Sequence, residues 1–542
     1  MNLEFNKNED AMKMSLSQVR QHFEKIKLGG GKKAIEKQNE KNKLTARQRI
    51  EYLIDKNSVF TEIGGFAGFE MYEEQGGCPA GGTVAGLGYV SGRQCVIIAN
   101  DQTVKAGAWF PITGKKNLRM QEIAMENHLP IIYLVDSAGV FLPMQDEIFP
   151  DKEHFGRIFR NNARISAMGI TQIAAVMGAC VAGGAYLPIM SDETLMVEGN
   201  ANIYLAGPYL VKAAIGEDID GETLGGAATH TEISGIADYK FKTEEDCLDQ
   251  VKRIMDKLGH KPKAGFDRIE PVAPVKNVDE IYSILPVNNV KPYDMLEVIE
   301  RIVDKSEFDQ FKEDYGKTIL CGYARIDGWA VGIVANQRLV TKSKKGEMQL
   351  GGVIYNDSAD KAARFIMNCN QKNIPLVFLQ DVTGFMVGSR SEHSGIIKDG
   401  AKMVNAVANS VVPKITIIVG NSFGAGNYAM CGKAYDPRFI YAWPTAKIAV
   451  MGGEQAAKTM LQIQVAGMKA KGLNVSQEEE DKLLSDLKGK YEKQTTTFYA
   501  AARLWVDGII DPATTRQHIS EGIKAASHNA EIPDFKMGVF QV

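Results

Sequence analysis

The feature that most constrains this chain is that it repeats itself. Residues 129–142 read LPIIYLVDSAGVFL and residues 374–387 read IPLVFLQDVTGFMV, so Pro130, Asp136 and Gly139 recur as Pro375, Asp381 and Gly384, each 245 positions on. Downstream, ITQIAAVMGACVAGGAYLPIMSD (170–192) is followed at a similar distance by VPKITIIVGNSFGAGNYAMCGKAYD (412–436). There Gly178 and Tyr186 return as Gly420 and Tyr428 at a spacing of 242, and Gly207 returns as Gly452 at 245. A short gap that later closes is what loop insertions and deletions produce. Each copy reads as strand, Asp-x-x-Gly turn, helix, strand, glycine-rich turn, helix, which predicts an α/β fold made of two duplicated domains. The proline-rich, aperiodic stretch near 260–295 reads as the connector, which places the domains at 1–280 and 281–542. Before the first copy, SQVRQHFEKI and ARQRIEYLI carry apolar residues at helical spacing, with a GGGKK loop between them.

Composition excludes several classes. Sixty-three Lys and Arg against 66 Asp and Glu leave a net charge of −3, so there is no bulk positive field to bind nucleic acid. Seven cysteines without a C-x-x-C pair indicate neither zinc nor a disulfide scaffold, and so predict no metal and a reducing, cytosol-like compartment. The N-terminus has no basic-then-apolar signal pattern. Ile165 to Ser191 carry no charge and no histidine, a run long enough to suggest a membrane span. Gly169, Gly178, Gly183, Gly184, Gln172 and Pro188 interrupt it, and its counterpart is broken by Asn421, Ser422 and Asn427, so a buried strand entering a turn is expected, with no membrane contact.

The chemistry is expected at the two glycine clusters. A glycine-rich corner after an apolar strand lets backbone approach a ligand, and the first amides of the helix beyond it have no intrahelical partner. Two such amides aimed at one oxygen form an oxyanion hole. Ala182, Gly183 and Gly184 fit that position in the first copy, and Gly424, Ala425 and Gly426 in the second; the sequence does not choose which two amides of each converge. Tight helix–strand packing and phosphate cradling are the competing readings, although neither cluster is a GxxxxGK[ST] or GxGxxG. With eight histidines and no G-x-S-x-G elbow, a serine hydrolase is not indicated. Two oxyanion sites would suit a reaction that holds a thioester enolate in one and a second polarised carbonyl in the other.

Long segments also carry a family resemblance. DSAGVFLPMQDEIFPDKEHFGRIFRNNARIS, MGACVAGGAYLPIMSDE, IYLAGPYLVKAAIGE, LGGAATHTEISGIAD, QDVTGFMVGSRSEHSGIIKDGAKMV, GNSFGAGNYAMCGKAYDPRFIYAWP, AVMGGEQAA and VDGIIDP, spread over about 50 to 515, resemble the carboxyltransferase (β) subunits of biotin-dependent acyl-CoA carboxylases, above all the methylcrotonoyl-CoA type. The resemblance implies two tandem crotonase-like (ClpP/crotonase) domains, with the active site between the N-domain of one subunit and the C-domain of another. It implies acyl-CoA at Ala138, Gly139, Ala182 and Gly183, and biotin at Phe423, Ala425 and Gly426. Carboxybiotin would release CO₂, the biotin enolate would take the substrate's acidic proton, and the substrate carbanion would capture CO₂. A homo-oligomer is implied, a hexamer built as a trimer of dimers, in the cytoplasm or, in a eukaryote, the mitochondrial matrix. Ala138 stands where the family pattern DSGG has its first glycine. The FLPMQDEIFPDKEHFGRIF stretch resembles methylcrotonoyl and geranyl enzymes more than propionyl ones, but a pocket difference of one methylene is worth only about 1–3 kcal/mol. Geranyl-, propionyl- and acetyl-CoA, and a decarboxylase of a sodium-pumping complex, remain alternatives.

Ala11-Met12-Lys13-Met14 spells the tetrapeptide of a biotinylated lysine. A carrier domain presents that lysine on a hairpin with strands on both sides, whereas only ten residues precede Ala11 and SLSQVRQHFEKIK after it is helix-patterned. Biotin and its ATP-driven carboxylation are therefore expected on a partner, a biotin carboxylase/biotin carrier subunit. Lys212, Lys342, Lys344 and Lys345 are candidates for CoA phosphate contact. Asp136, Asp381 and Asp192 read as turn caps, and Ala442–Pro444 as packing.

Overall fold

Each sheet starts from a tight hairpin whose turn the sequence dictates. Ser91-Gly92 and Asp327-Gly328 both adopt positive φ at the two central positions (51° and 73°; 53° and 80°). This is the backbone twist that a two-residue connection between antiparallel strands requires. In the computed structural model, which describes residues 3–343, 346–471, 473 and 475–542, the chain divides into two compact units. One comprises Gln21–Lys263 and Ala501–Leu504; the other comprises Met1–Arg20, Ala264–Ala500 and Trp505–Val542. Lys344 and Lys345 lie outside the described residues.

The first unit holds an eight-stranded sheet: β1 (Thr61–Glu62), β2 (Thr83–Val90), β3 (Arg93–Asn100), β4 (Ile131–Ser137), β5 (Gln172–Val181), β6 (Glu193–Val197), β7 (Asn202–Tyr204) and β8 (Tyr239–Phe241). The spatial order is β1-β2-β3-β4-β5-β6-β8, and β7 pairs with the far end of β5. The first two pairings are antiparallel and the rest parallel. β4 is buried along its whole length, as expected of a strand covered on both faces. Leu53, Ile97, Ile132, Leu134, Ile173 and Leu195 form the core of one layer, closed by helices Ala46–Leu53 and Glu244–Asp256.

The second unit repeats the arrangement strand for strand. Its sheet contains β9 (Asp309–Gln310), β10 (Ile319–Ile326), β11 (Trp329–Asn336), β12 (Leu376–Val382), β13 (Lys414–Phe423), β14 (Phe439–Ala442), β15 (Lys447–Ala449) and β16 (Gly508–Ile509). They run in the order β9-β10-β11-β12-β13-β14-β16, with β15 on the far end of β13. The antiparallel and parallel pairings fall at the same places. The duplicated α/β architecture read from the sequence is therefore present at the level of sheet order and direction.

The likeness extends into the helices. Pro111–Asn127 and Asn356–Gln371 precede β4 and β12, and each is capped by a hydroxyl at its third position: Thr113 Oγ1 accepts from Phe110 N at 3.0 Å, and Ser358 Oγ accepts from Tyr355 N at 2.9 Å. Each buries a lysine at its sixth position, Lys116 and Lys361. Lys116 Nζ donates to Ala80 O at 2.9 Å and Thr83 O at 2.5 Å, pinning a turn whose Ala80, Gly81 and Gly82 all have positive φ. Burial pulls its pKa down to about 8, and lowers that of Lys361 for the same reason.

The N-terminal tetrapeptide lies inside the helix Leu3–Ile26. Met12 is buried, and the exposed Lys13 pairs with Glu9 at 2.5 Å and stands 5.6 Å from the Tyr282 ring. Among the described residues, no helix is long and apolar enough to cross a membrane. All seven cysteines are buried and free of disulfides.

Candidate functional site

The two glycine clusters stand at equivalent places: directly after β5 and directly after β13. Val181 ends β5; Ala182 comes next with φ +58° and opens a single 3₁₀ turn, Ala182–Ala185. Phe423 ends β13; Gly424 comes next with φ +54° and opens the short helix Gly424–Ala429. A left-handed residue followed by a helical one gathers successive N–H groups on one side of the chain, a concavity suited to an anion. The equivalence pairs Ala182 with Gly424, Gly183 with Ala425 and Gly184 with Gly426. A positive φ on Ala182 is a costly conformation for a residue with a Cβ, and it turns the backbone directly after β5.

Both corners face outward. Ala182 and Ala425 are exposed, Gly183, Gly184 and Gly424 are half-buried, and Gly426 is buried. A Cβ on Gly184 would meet nothing within 4 Å, whereas one on Gly426 would fall 2.6 Å from Val382 Cγ2. Around the first turn, Cys180 Sγ reaches Gly184 O at 3.4 Å. Around the second, the residue equivalent to Cys180 is Ser422, whose Oγ donates to Gln380 Oε1 at 2.6 Å and accepts from Asn427 Nδ2 at 2.7 Å. These bonds fix each corner from the strand side. Ser422 is thus a brace, with no histidine among these hydrogen-bond partners.

Ala138 and Gly139 lie just past β4, beside β5, and belong to the first corner. Ala138 is exposed, Gly139 has φ +88°, and a Cβ on Gly139 would lie 3.2 Å from Val181 O, next to Ala182. Backbone bonds from Ala138 N to Ala106 O (3.0 Å) and from Trp109 N to Gly139 O (2.8 Å) hold this loop. An aromatic series, Trp109, Phe155, Phe159 and Tyr186, runs along the same corner with successive centroids 5.1, 5.1 and 6.0 Å apart. Phe155 comes within 3.0 Å of where a Gly183 Cβ would lie. Phe423 is placed differently from its fellow candidates: its ring is buried, so only its backbone reaches the second corner.

The two strand-end aspartates are not turn caps. Asp136 is fully buried and bound by Lys43 Nζ at 2.7 Å and Arg49 Nη2 at 3.1 Å; Arg49, itself fully buried, also binds Glu244 through Nε and Nη2 at 2.7 Å each. Asp381 accepts from Tyr293 OH at 2.8 Å and Asn421 N at 2.8 Å, with Arg338 Nε at 3.4 Å. Burial raises its pKa, against the Arg338 charge. Asp381 also floors a cavity of about 650 Å³ lined by Met12, Tyr293, Asn421 and Lys447. The sequence signal for these roles existed, since both aspartates stand at the same spacing, but their partners lie far away in the chain. Asp192, also expected as a turn cap, instead accepts from residues 20 and 26 positions earlier, Gln172 N at 2.8 Å and Ser166 Oγ at 2.5 Å. Lys212 is exposed and paired with Asp218 at 2.8 Å, and Lys342 is exposed. Trp443 is packing: it is fully buried, with Nε1 donating to Thr515 Oγ1 at 3.0 Å.

Comparison with known proteins meets this geometry. The carboxyl transferase domain model matches residues 37–540. The methylcrotonoyl-CoA carboxylase beta chain of Arabidopsis thaliana is 47% identical over 544 residues, covering 99% of this chain and 90% of its own. That of Dictyostelium discoideum is 48% identical over 540 residues, covering 99% and 89%. The crystal structure of the P. aeruginosa geranyl-CoA carboxylase beta subunit superposes with a TM-score of 0.86 at 37% identity, covering 99% of this chain and 97% of that one. The two tandem crotonase-like domains implied by the motifs agree with that neighbour and with the duplicated sheets. With the family model spanning nearly its whole length, the chain belongs to the carboxyl transferase domain family.

Proposed function

We propose that this chain is the carboxyltransferase subunit of a biotin-dependent acyl-CoA carboxylase, moving a carboxyl group from carboxybiotin to an acyl-CoA, with 3-methylcrotonoyl-CoA as the favoured acceptor. The observation that carries this reading is the pair of equivalent, outward-facing corners at Ala182–Gly184 and Gly424–Gly426, each opened by a positive-φ residue. Backbone amides there stabilise charge that develops on an oxygen; losing one such donor typically costs about 2.7–4 kcal/mol in the transition state. Amides of Ala182 and Gly183, beside Ala138 and Gly139, hold the thioester oxygen of the acyl-CoA. Amides of Ala425 and Gly426 hold the ureido oxygen of biotin. The second corner fits that group, because Ala425 presents only a methyl and Gly424 takes a conformation that places no side chain over the amides. Biotin supplies the carboxyl group when bound.

Biotin resides on a separate biotin carboxylase/biotin carrier subunit, because the lysine tetrapeptide of this chain is inside a helix and not on a hairpin. The assembly is a hetero-oligomer around a hexamer of this chain, a trimer of dimers. It works in the cytoplasm or, in a eukaryote, in the mitochondrial matrix. The acyl group rests on the high identity to methylcrotonoyl enzymes; the P. aeruginosa neighbour makes geranyl-CoA the competitor to exclude.

The test is ATP- and bicarbonate-dependent carboxylation by the chain purified with its biotin-bearing partner, over 3-methylcrotonoyl-, geranyl-, propionyl- and acetyl-CoA. The highest kcat/KM is expected with 3-methylcrotonoyl-CoA. Gly183→Val, folded but inactive, supports the first corner, and Ala425→Val, impaired in the use of free carboxybiotin, supports the second. No carboxylation of any acyl-CoA, or full turnover by both variants, overturns the reading.

A further inference from the structure

The two sheets carry the same irregularity at the same place. In the first, Val135 faces Val176 and Ser137 faces Cys180, so Met177, Gly178 and Ala179 together oppose Asp136 alone. In the second, Gln380 faces Ile418 and Val382 faces Ser422, so Val419, Gly420 and Asn421 together oppose Asp381 alone. At this bulge each strand changes partner. β5 lies beside β6 through Val176 and beside β7 from Ala179 onward. β13 lies beside β14 through Ile418 and beside β15 from Asn421 onward. Bulges bend and twist the strand that carries them and re-aim the residues beyond. Four residues past each glycine stands the positive-φ residue of a corner, Ala182 or Gly424.

The aspartate occupies the space that opens the bulge. A Cβ on Gly178 would lie 1.9 Å from Asp136 Oδ1, and one on Gly420 would lie 2.4 Å from Asp381 Cγ. No side chain other than hydrogen fits at either glycine while the carboxyl group is there. The surroundings are duplicated too. Asp136 N donates to Asn100 Oδ1 at 3.3 Å, and Asp381 N donates to Asn336 Oδ1 at 3.1 Å. Burying a carboxylate is expensive unless it is paired, and the two units pair it by unrelated means: Lys43 and Arg49 in one, Tyr293 and Arg338 in the other. The constant element is the carboxyl wedge against the glycine; the counter-groups differ.

We propose that Asp136 and Asp381 are positioning residues for the two corners, each wedging its strand apart at the facing glycine and so setting the direction in which the strand delivers its amides. This deepens the carboxyl-transfer reading and rests on it. Neither aspartate touches substrate; each acts through the bulge.

The test uses the chain in complex with its biotin-bearing partner and reads hydrogen exchange of the corners together with kinetics. Asp381→Ala is expected to speed amide exchange across 421–428 by about tenfold or more, leaving 179–186 at the parent rate. It is expected to lower kcat by about tenfold or more with the KM for 3-methylcrotonoyl-CoA unchanged. Asp136→Ala should show the converse exchange pattern. Asp381→Asn, which keeps the wedge and drops its charge, should exchange at 421–428 like the parent, and it carries the test where the alanine variant fails to fold. Adding Gly420→Ala to Asp381→Ala refills the vacated space and should restore part of the lost protection. Unchanged exchange at the corner in the alanine variant, or exchange as fast in Asp381→Asn as in Asp381→Ala, overturns the wedge. Faster corner exchange with undiminished carboxylation would instead remove the corner from catalysis, which separates failure of the functional reading from failure of the wedge.

Discussion

Arg49 offers the sharpest test of what holds the first unit together. Its side chain has no exposed surface, makes two 2.7 Å bonds to Glu244 and one of 3.1 Å to Asp136, and shares Asp136 with Lys43. The four charges cancel. Arg49→Met keeps the aliphatic stem and leaves two carboxylates facing one ammonium in a dry interior. Removing one partner of a buried pair costs about 3–5 kcal/mol. For a unit of this size, at about 2–4 °C per kcal/mol, the apparent unfolding midpoint should fall by about 6–20 °C. The pH dependence has a definite sign. In the variant, a carboxylate without its partner has a folded pKa above its unfolded value, so its protonated form is favoured in the fold. The penalty is complete at high pH and is relieved as pH falls toward that raised pKa. Thermal unfolding of the assembled protein, followed by scanning calorimetry at about pH 8 and about pH 5.5, should therefore show a smaller gap at the lower pH. Arg49→Lys, which keeps the charge but not the fork, should fall between. A midpoint within about 2 °C of the parent at pH 8, or a gap indifferent to pH, would refute the view that this cluster is a mutually dependent set.

The equivalent glycines of the corners should respond oppositely to a methyl group. Gly184→Ala enters open space and should leave the melting point unchanged, whereas Gly426→Ala meets Val382 at 2.6 Å and should destabilise by about 1–3 kcal/mol, read from the same scans. Lys13→Ala should leave carboxylation at the parent rate, and an avidin blot of the purified chain should be blank; a biotin-positive band would reopen the tetrapeptide as an attachment site. Trp443→Phe should cost about 1–3 kcal/mol, because it removes the buried 3.0 Å bond to Thr515, and denaturant titration would measure it.

Much of this protein was legible in local signals. The strand runs before Asp136 and Asp381, the Asp-x-x-Gly turns and the glycine clusters after Val181 and Phe423 report short-range backbone requirements, and such requirements are written in adjacent residues. Because the chain states them twice, the duplicated α/β plan and the equivalence of Ala182–Gly184 with Gly424–Gly426 are written in the sequence itself. The family emerged from the same segments.

What could not be read is where buried polar groups find their partners. Arg49 meets Glu244 across 195 positions and Asp136 across 87; Tyr293 meets Asp381 across 88. No period of 2 or 3.6 encodes such pairings. A buried charge is tolerated only where folding delivers its counter-charge, so the same Asp that looks like a turn cap in sequence becomes an interior wedge in the sheet. The tertiary structure alone also decided that Lys116 and Lys361 point inward, that Phe423 offers backbone and not its ring, and that Met12 is buried beside an exposed Lys13. The sequence by itself determined which turns the chain must make; packing decided which polar side chains those turns trap in the interior, because desolvation is felt only once distant segments have closed around a group.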